Sequence, residues 1–161
     1  RDPLTRLLNK VEVEREIRSF LEKNPEGTHV MLLIDIDDFK GVNDNFGHTF
    51  GDTVITDVAR LIQSQFRSDD VVGRIGGDEF CVITQGLSMK RLQDLQVRLT
   101  LAEREYNQRR PEVTIEIACG YASYDENCDK TIEDIRLRAD ARMYENKKEL
   151  KGKSDRIRRV L

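Results

Sequence analysis

Apolar residues recur along the chain at two spacings, and their order predicts the order of helices and strands. Apolar residues at every third or fourth position predict amphipathic helices that begin near residues 9, 52, 88 and 131. Continuous or alternating apolar residues predict strands at residues 28–36, 71–84, 113–121 and 156–161, of which the second is a hairpin. With a short helical turn after the first strand, this order is typical of an α+β domain whose central, largely antiparallel sheet is covered by helices.

The predicted hairpin contains the most informative polar residues. Gly76 and Gly77 separate its two apolar runs, and a Gly-Gly pair suits a tight turn because both residues can adopt positive φ. Asp78 and Glu79 follow at the tip, where two carboxylates are well placed to hold a hard cation through oxygen ligands. Phe80 is then expected to return to the core.

Length and composition indicate one soluble domain, residues 1–161. Of its 161 residues, 38% are hydrophobic and 35% are charged. No apolar run approaches the ~20 residues that a membrane helix requires. The net charge of −3 argues against a nucleic-acid surface, which needs a basic face. We therefore expect no nucleic-acid partner and no membrane contact by this domain.

The cysteines and the start of the chain bear on its cellular context. Three cysteines without C-x-x-C spacing indicate neither a disulfide framework nor a zinc site, and Cys81 and Cys119 lie in predicted strands as core residues. A reducing, cytoplasmic location fits best. Because the chain begins at Arg1 without an initiator Met, we expect a segment of a longer multidomain protein, which leaves open a membrane anchor elsewhere.

A second acidic segment follows the first predicted strand. Asp35-Ile36-Asp37-Asp38-Phe39-Lys40 stands where a buried strand would deliver side chains to a site at its end. A lone acid at a strand end is more often a loop residue or a helix cap, and a lysine near acids is more often part of a surface ion pair. The acids of the hairpin in the same chain favour the metal-binding interpretation.

The segment Gly76-Gly77-Asp78-Glu79-Phe80 resembles the signature of the GGDEF family, the diguanylate cyclases. Other segments resemble further family motifs in the same order, at residues 2–10, 35–40, 43–52 and 139–147. The first departs from the usual pattern, with Arg6 in place of Gly and Lys10 in place of Arg. Residues 2–10 are also a plain helix entry, with Asn9 as N-cap and Glu12 at the third helical position.

The resemblance implies a fold and a reaction. The fold is palm-like, of the nucleotidyl cyclase or ferredoxin-like type, with a mostly antiparallel sheet of about five strands covered by helices. The reaction joins two GTP molecules into cyclic di-GMP and releases pyrophosphate. Since each domain binds one GTP, catalysis implies a second copy of the same domain as partner.

The resemblance also implies catalytic and metal-binding residues. Asp35, the Ile36 carbonyl and Asp78 would bind Mg²⁺ or Mn²⁺. Asp78 would act as the base, Glu79 would be its neighbour and a ligand of a second metal ion, and Lys40 would stabilise the transition state.

Substrate contacts follow in the same way. Main-chain N–H groups of Asp38, Phe39 and Lys40 would face phosphate oxygens. Lys147 would contact phosphate together with a second cation, Lys151 or Lys153; a lysine-rich helix end also complements the helix dipole.

Asn43 and Asp52 would recognise guanine, because a carboxylate accepts from guanine N1–H and the exocyclic amine, whereas adenine has an acceptor at N1. From local sequence alone, Asp52 could equally be the N-cap of the helix that follows.

A product-binding inhibitory site is the last implication. Arg67 and Asp70 form an R-x-x-D motif shortly before Gly76, and gapless counting places Arg98 where the family often has a further arginine. An arginine fork can hold a phosphate or the Hoogsteen edge of guanine. The alternative is a surface charge pair at a helix end.

Two other functions are compatible with parts of this pattern. The first is a catalytically idle receptor that keeps the fold and binds GTP or cyclic di-GMP; loss of the hairpin acids would favour it, and they are present. The second is an unrelated metal-dependent phosphotransferase, which would not explain the ordered matches along the chain.

Overall fold

The computed structural model describes residues 1–23, 29–85, 89–123, 133–145 and 148. Its elements follow the predicted order. They are α1 (Lys10–Lys23), β1 (His29–Asp37), α2 (Phe39–Phe46), α3 (His48–Ser64), β2 (Val71–Arg74), β3 (Glu79–Gln85), α4 (Met89–Arg109), β4 (Glu116–Ser123) and α5 (residues 133–145).

The four described strands form one antiparallel sheet in the order β2-β3-β1-β4. Strand β1 lies in the middle, with Leu33 opposite Cys81 on one side and Gly120 on the other. This agrees with the predicted α+β fold. The predicted closing strand at residues 156–161 lies outside the described residues, as do Lys147, Lys151 and Lys153.

Helices cover both faces of the sheet, which is why β1 is buried along almost its whole length. Alternate residues of β1 enter two separate cores: Leu32 and Ile34 pack in the core that includes residues of α3 and α4, whereas Leu33 packs in the core that includes residues of α1 and α5. Phe80 of β3 is fully buried in the first core, as predicted. In the part of the chain that the structure describes, no helix is long and apolar enough to span a membrane.

The start of α1 is capped as predicted. The Glu12 N–H donates to Asn9 Oδ1 at 2.9 Å, and the Asn9 N–H donates to Glu12 Oε1 at 3.2 Å. This reciprocal capping box satisfies two backbone donors at the helix end.

Strand β4 begins three residues later than the alternation of apolar residues predicts. The Asn107 carboxamide, on α4, accepts from the Ile115 N–H at 2.9 Å and donates to the Ile115 carbonyl at 3.0 Å. Because a side chain satisfies this backbone, Ile115 is buried without belonging to the sheet.

The hairpin turn lies where predicted, but the expectation of positive φ at its glycines is wrong. The loop between β2 and β3 has four residues, 75–78, and neither Gly76 nor Gly77 adopts the left-handed region. The loop closes through the Glu79 carbonyl, which accepts from the N–H groups of Ile75 at 2.9 Å and Gly76 at 3.3 Å. A four-residue loop reverses the chain without the mirror-image turn that a two-residue loop needs.

Candidate functional site

Two neighbouring strands bring the predicted acidic residues together. Asp35 of β1 lies directly opposite Glu79, the first residue of β3, and Asp78 precedes Glu79 in the loop. Asp35 is only 6% exposed, whereas Asp78 and Glu79 are half-buried at the surface. The pairing of β1 with β3 therefore places three carboxyl groups at one edge of the sheet.

The charge at this edge is reflected in the pKa of Glu79. Burial of its carboxyl group raises the pKa, and the nearby carboxylates of Asp140, Asp35 and Asp78 raise it further. The Arg136 guanidinium lowers it, with its Nη2 atom 4.0 Å from Glu79 Oε1. Negative charge is thus concentrated where a bound cation would be favourable.

The donor groups fit a hard cation. Asp35, the Ile36 carbonyl and Asp78 offer only oxygen atoms, which are the ligands that Mg²⁺ and Mn²⁺ prefer. Among residues 1–23, 29–85, 89–123 and 133–145, no three His, Cys, Asp or Glu side chains converge closely enough to form a metal cage. The ligand set that the resemblance implies, two carboxylates and one main-chain carbonyl, stays a prediction.

The chain turns sharply from β1 into α2 at a single residue. Asp38 adopts left-handed geometry, with φ 52° and ψ 41°, and makes no side-chain cap on α2. Phe39 and Lys40 form the first turn of α2, with Phe39 half-buried and Lys40 exposed. One exposed cation and the first N–H groups of a helix therefore follow directly after the acidic end of β1.

Asn43 and Asp52 lie on adjacent helices. The Asn43 carboxamide on α2 contacts Gly51 on α3, which immediately precedes Asp52 in the sequence. Helix α3 begins at His48 with Gly47 as N-cap, at φ 85°. The interpretation of Asp52 as an N-cap is therefore wrong: it lies inside α3 with an exposed side chain, because the helix starts four residues before the predicted position.

Arg67, Asp70 and Arg98 line one open cavity of about 460 Å³ between the end of α3 and α4. The Asp70 carboxylate accepts from the Arg67 N–H at 2.8 Å, which fixes the turn between them. Arg91, which lies on α4 seven residues before Arg98, also lines the cavity. The structure thus brings the three predicted residues to one place and adds two charged neighbours, Arg91 and Asp94.

Sequence reasoning missed several residues that surround the acidic edge. Arg136 and Asp140 reach it from α5, and Arg74 contacts the hairpin loop. No spacing in the sequence connects α5 to the hairpin, so Arg136 carried no signal. Asp140 lies in the segment 139–147 that resembles a family motif, but that resemblance does not say that it approaches the hairpin. Arg74 lies two residues before the glycine pair, where nothing in the sequence distinguishes it from other residues of the predicted strand.

Comparison with known proteins decides the family. The family model "Diguanylate cyclase, GGDEF domain" matches residues 1–153. The chain belongs to the GGDEF family. Its sheet and its flanking helices are thus those of a GGDEF domain.

Curated and structural relatives agree. The probable diguanylate cyclase DgcT of Escherichia coli K12 is 33% identical over 151 residues, which are 91% of this chain and 33% of that protein. The diguanylate cyclase SiaD of Pseudomonas aeruginosa, solved with its activator SiaC, superposes with a TM-score of 0.80 at 26% identity, covering 92% of this chain and 58% of that one. The GGDEF domain of DgcB from Caulobacter crescentus, solved in complex with c-di-GMP, has a TM-score of 0.77 at 27% identity, covering 91% of this chain and 86% of that one.

This chain is shorter than the curated relatives that it matches. It spans between 10% and 33% of the length of the curated relatives that it matches.

Proposed function

We propose that this GGDEF domain condenses two GTP molecules into cyclic di-GMP. The observation that carries the proposal is the position of Asp35 directly opposite Glu79, which follows Asp78, in a chain whose curated relatives include diguanylate cyclases. The idle-receptor alternative has no comparable support, because the hairpin acids are present and lie together.

In each of two equivalent steps, the 3′-hydroxyl of one GTP attacks the α-phosphorus of the other. A new phosphorus–oxygen bond forms, the bond to the β-phosphate oxygen breaks, and pyrophosphate leaves. Asp78 accepts the hydroxyl proton, and Glu79 stands beside it as a second carboxyl group. When Mg²⁺ or Mn²⁺ is bound by Asp35, the Ile36 carbonyl and Asp78, it supplies Lewis-acid stabilisation of the phosphate oxygens.

Positive groups hold the triphosphate. Lys40 is exposed beside the acidic edge, where its ammonium group can neutralise charge that develops on the reacting phosphate. The N–H groups of Asp38, Phe39 and Lys40 at the start of α2 supply further donors. Lys147, with Lys151 or Lys153, completes this set in our proposal.

Asn43 and Asp52 select the base. The exposed Asp52 carboxylate accepts from guanine N1–H and the exocyclic amine, and the Asn43 amide pairs with the neighbouring edge of the purine. Adenine would leave the carboxylate opposite an acceptor, at a cost of roughly 1–3 kcal/mol.

Two copies of the domain face each other during catalysis, each presenting one GTP. The product then acts back on the enzyme at the cavity lined by Arg67, Asp70 and Arg98, where cyclic di-GMP supplies phosphates and guanine edges for the arginines. Since GTP is a cytoplasmic nucleotide, the cytoplasm is the compartment in which this activity operates.

The test is to incubate the purified domain at high concentration with GTP and Mg²⁺ and to separate the nucleotides by chromatography. We expect cyclic di-GMP and pyrophosphate, both lost in Asp78→Ala and kept in Asp69→Ala, an exposed acid in the turn before β2. Bound GTP without product, even in a fused dimer, would reject the cyclase and favour the receptor.

A further inference from the structure

Arg74 makes a dense set of polar contacts beside the acidic edge. It is the last residue of β2, and its side chain is only 17% exposed. Its Nε donates to the carbonyls of Gly76 at 3.1 Å and Gly77 at 3.0 Å, and its Nη2 donates to the Gly77 carbonyl at 2.7 Å. One guanidinium group thus grips the main chain of the loop immediately before Asp78.

The other edge of the same guanidinium is held by Asp2. Arg74 Nη1 lies 3.2 Å from both carboxylate oxygens of Asp2, whose side chain is 15% exposed. Asp2 is itself fixed by Thr5, whose N–H and hydroxyl donate to its Oδ2 at 2.8 Å and 2.7 Å. Burial raises the pKa of Asp2, but the hydrogen bonds from Thr5 and Arg74 outweigh burial and lower it, so the Asp2 carboxyl group is ionised at neutral pH.

The loop of residues 75–78 has few other described contacts to hold its main chain. Its glycines do not adopt left-handed geometry, and a Cβ atom at Gly77 would meet nothing within 4 Å, so packing does not hold that residue. The N–H groups of Ile75 and Gly76 donate to the Glu79 carbonyl. The other described hydrogen bonds to the main chain of the loop come from the Arg74 guanidinium. Glycine loses more conformational freedom on ordering than any other residue, which makes two exposed glycines a weak support for a catalytic carboxylate.

We propose that Arg74, oriented by Asp2, is a positioning residue that fixes the Gly76-Gly77 loop so that Asp78 and Glu79 stand beside Asp35. This inference rests on the proposed cyclase function. It adds that Asp2 and Thr5 affect the position of the catalytic acids through their contacts with Arg74. Only an arginine can do this, because its planar fork reaches two carbonyls and a carboxylate at once, whereas a lysine ammonium is a point charge.

The experiment compares Arg74→Ala and Arg74→Lys with Arg110→Ala. Arg110 is a matched control, since its guanidinium also bridges acids, with Nε 3.1 Å from Asp57 and Nη1 3.8 Å from Glu112, far along the chain from the hairpin. For Arg74→Ala we expect kcat to fall roughly 10- to 100-fold with KM for GTP within about twofold, since displaced catalytic groups affect the transition state more than binding. The kcat of Arg74→Lys should fall nearly as far. Millimolar methylguanidine should restore part of the activity of Arg74→Ala, whereas Arg110→Ala should retain the kcat of the unaltered domain.

A second measurement does not depend on catalysis. Amide hydrogen exchange at residues 75–78 should accelerate in Arg74→Ala and stay unchanged in Arg110→Ala. If the unaltered domain makes no cyclic di-GMP, the proposed function fails, but exchange still decides whether Arg74 holds the loop. Unchanged exchange, or equal losses of kcat in Arg74→Ala and Arg110→Ala, would overturn the inference.

Discussion

Asn43 on α2 and Gly51 on α3 share a single space: the Oδ1 atom of Asn43 overlaps the position that a Cβ atom at residue 51 would need. The Phe39 ring closes the same space, with Cζ 3.2 Å from that position. The absence of a side chain at residue 51 therefore determines where the Asn43 carboxamide lies. Because Asn43 is a proposed guanine contact, Gly51 bears on nucleotide recognition.

We expect Gly51→Ala to raise KM for GTP roughly fivefold, the effect of losing about 1 kcal/mol of hydrogen bonding, with a smaller change in kcat. In an Asn43→Ala background the same substitution should leave KM unchanged, because the displaced carboxamide is already gone. There it should also raise the free energy of unfolding by up to about 1 kcal/mol through helix propensity. Additive effects on KM in the double variant would show that Gly51 acts independently of Asn43.

The cavity between α3 and α4 predicts how product inhibition responds to mutation. Arg98→Ala should weaken inhibition by cyclic di-GMP roughly 10- to 100-fold, since hydrogen bonds to charged groups contribute about 1.5–3 kcal/mol each. Initial rates without product should stay the same. Arg104→Ala, an exposed arginine of α4 that does not line the cavity, is the control, and inhibition constants from a product titration give the comparison. Equal inhibition of both variants would remove Arg98 from the site.

Glu103 predicts a pH-dependent stability. Burial raises its pKa above the ordinary value of 4.5; Glu116 raises it further, while the N–H of Ile117, 3.1 Å from its Oε2, and Arg104 lower it. A raised pKa means that the folded protein holds the proton more tightly than the unfolded chain. Above the pKa that Glu103 has in the folded protein, its charged carboxylate therefore lowers the free energy of unfolding. This loss disappears as pH falls through that pKa towards 4.5.

We thus expect Glu103→Gln, which keeps an acceptor for Ile117, to raise the free energy of unfolding at pH 8 by less than about 1 kcal/mol, allowing for solvent screening. The gain should shrink as pH falls towards 4.5. Urea unfolding at both values measures it, with the exposed Glu105→Gln as control. A gain that is independent of pH would contradict the electrostatic origin.

Gly120 sets how closely α5 approaches the sheet. A Cβ atom there would overlap the Ala139 carbonyl oxygen and the Met143 nitrogen, both main-chain atoms of α5 that cannot rotate away. Gly120→Ala should lower the free energy of unfolding by about 1–3 kcal/mol or more, as overpacking does. Gly77→Ala, where a Cβ atom meets nothing, should change it by no more than about 0.5 kcal/mol. Similar stabilities of the two variants in urea would show that α5 can shift.

Local sequence was sufficient for the order of the described elements and for the Asn9–Glu12 cap. These features depend on residues a few positions apart, whose spacing along the chain fixes which side chains share a face. The family resemblance further indicated the acids Asp35 and Asp78, which the structure places at neighbouring strand ends.

Only the tertiary structure decided the geometry around those acids. The approach of Arg136 and Asp140 from α5, the hydrogen bonds of Asn107 to Ile115 and the salt bridge of Arg74 with Asp2 join residues in different segments of the chain. Spacing in one segment carries no information about which side chains another segment brings to it. The sequence by itself therefore determined which elements form and which acids end them, whereas packing of helices against the sheet decided what surrounds and orients those acids.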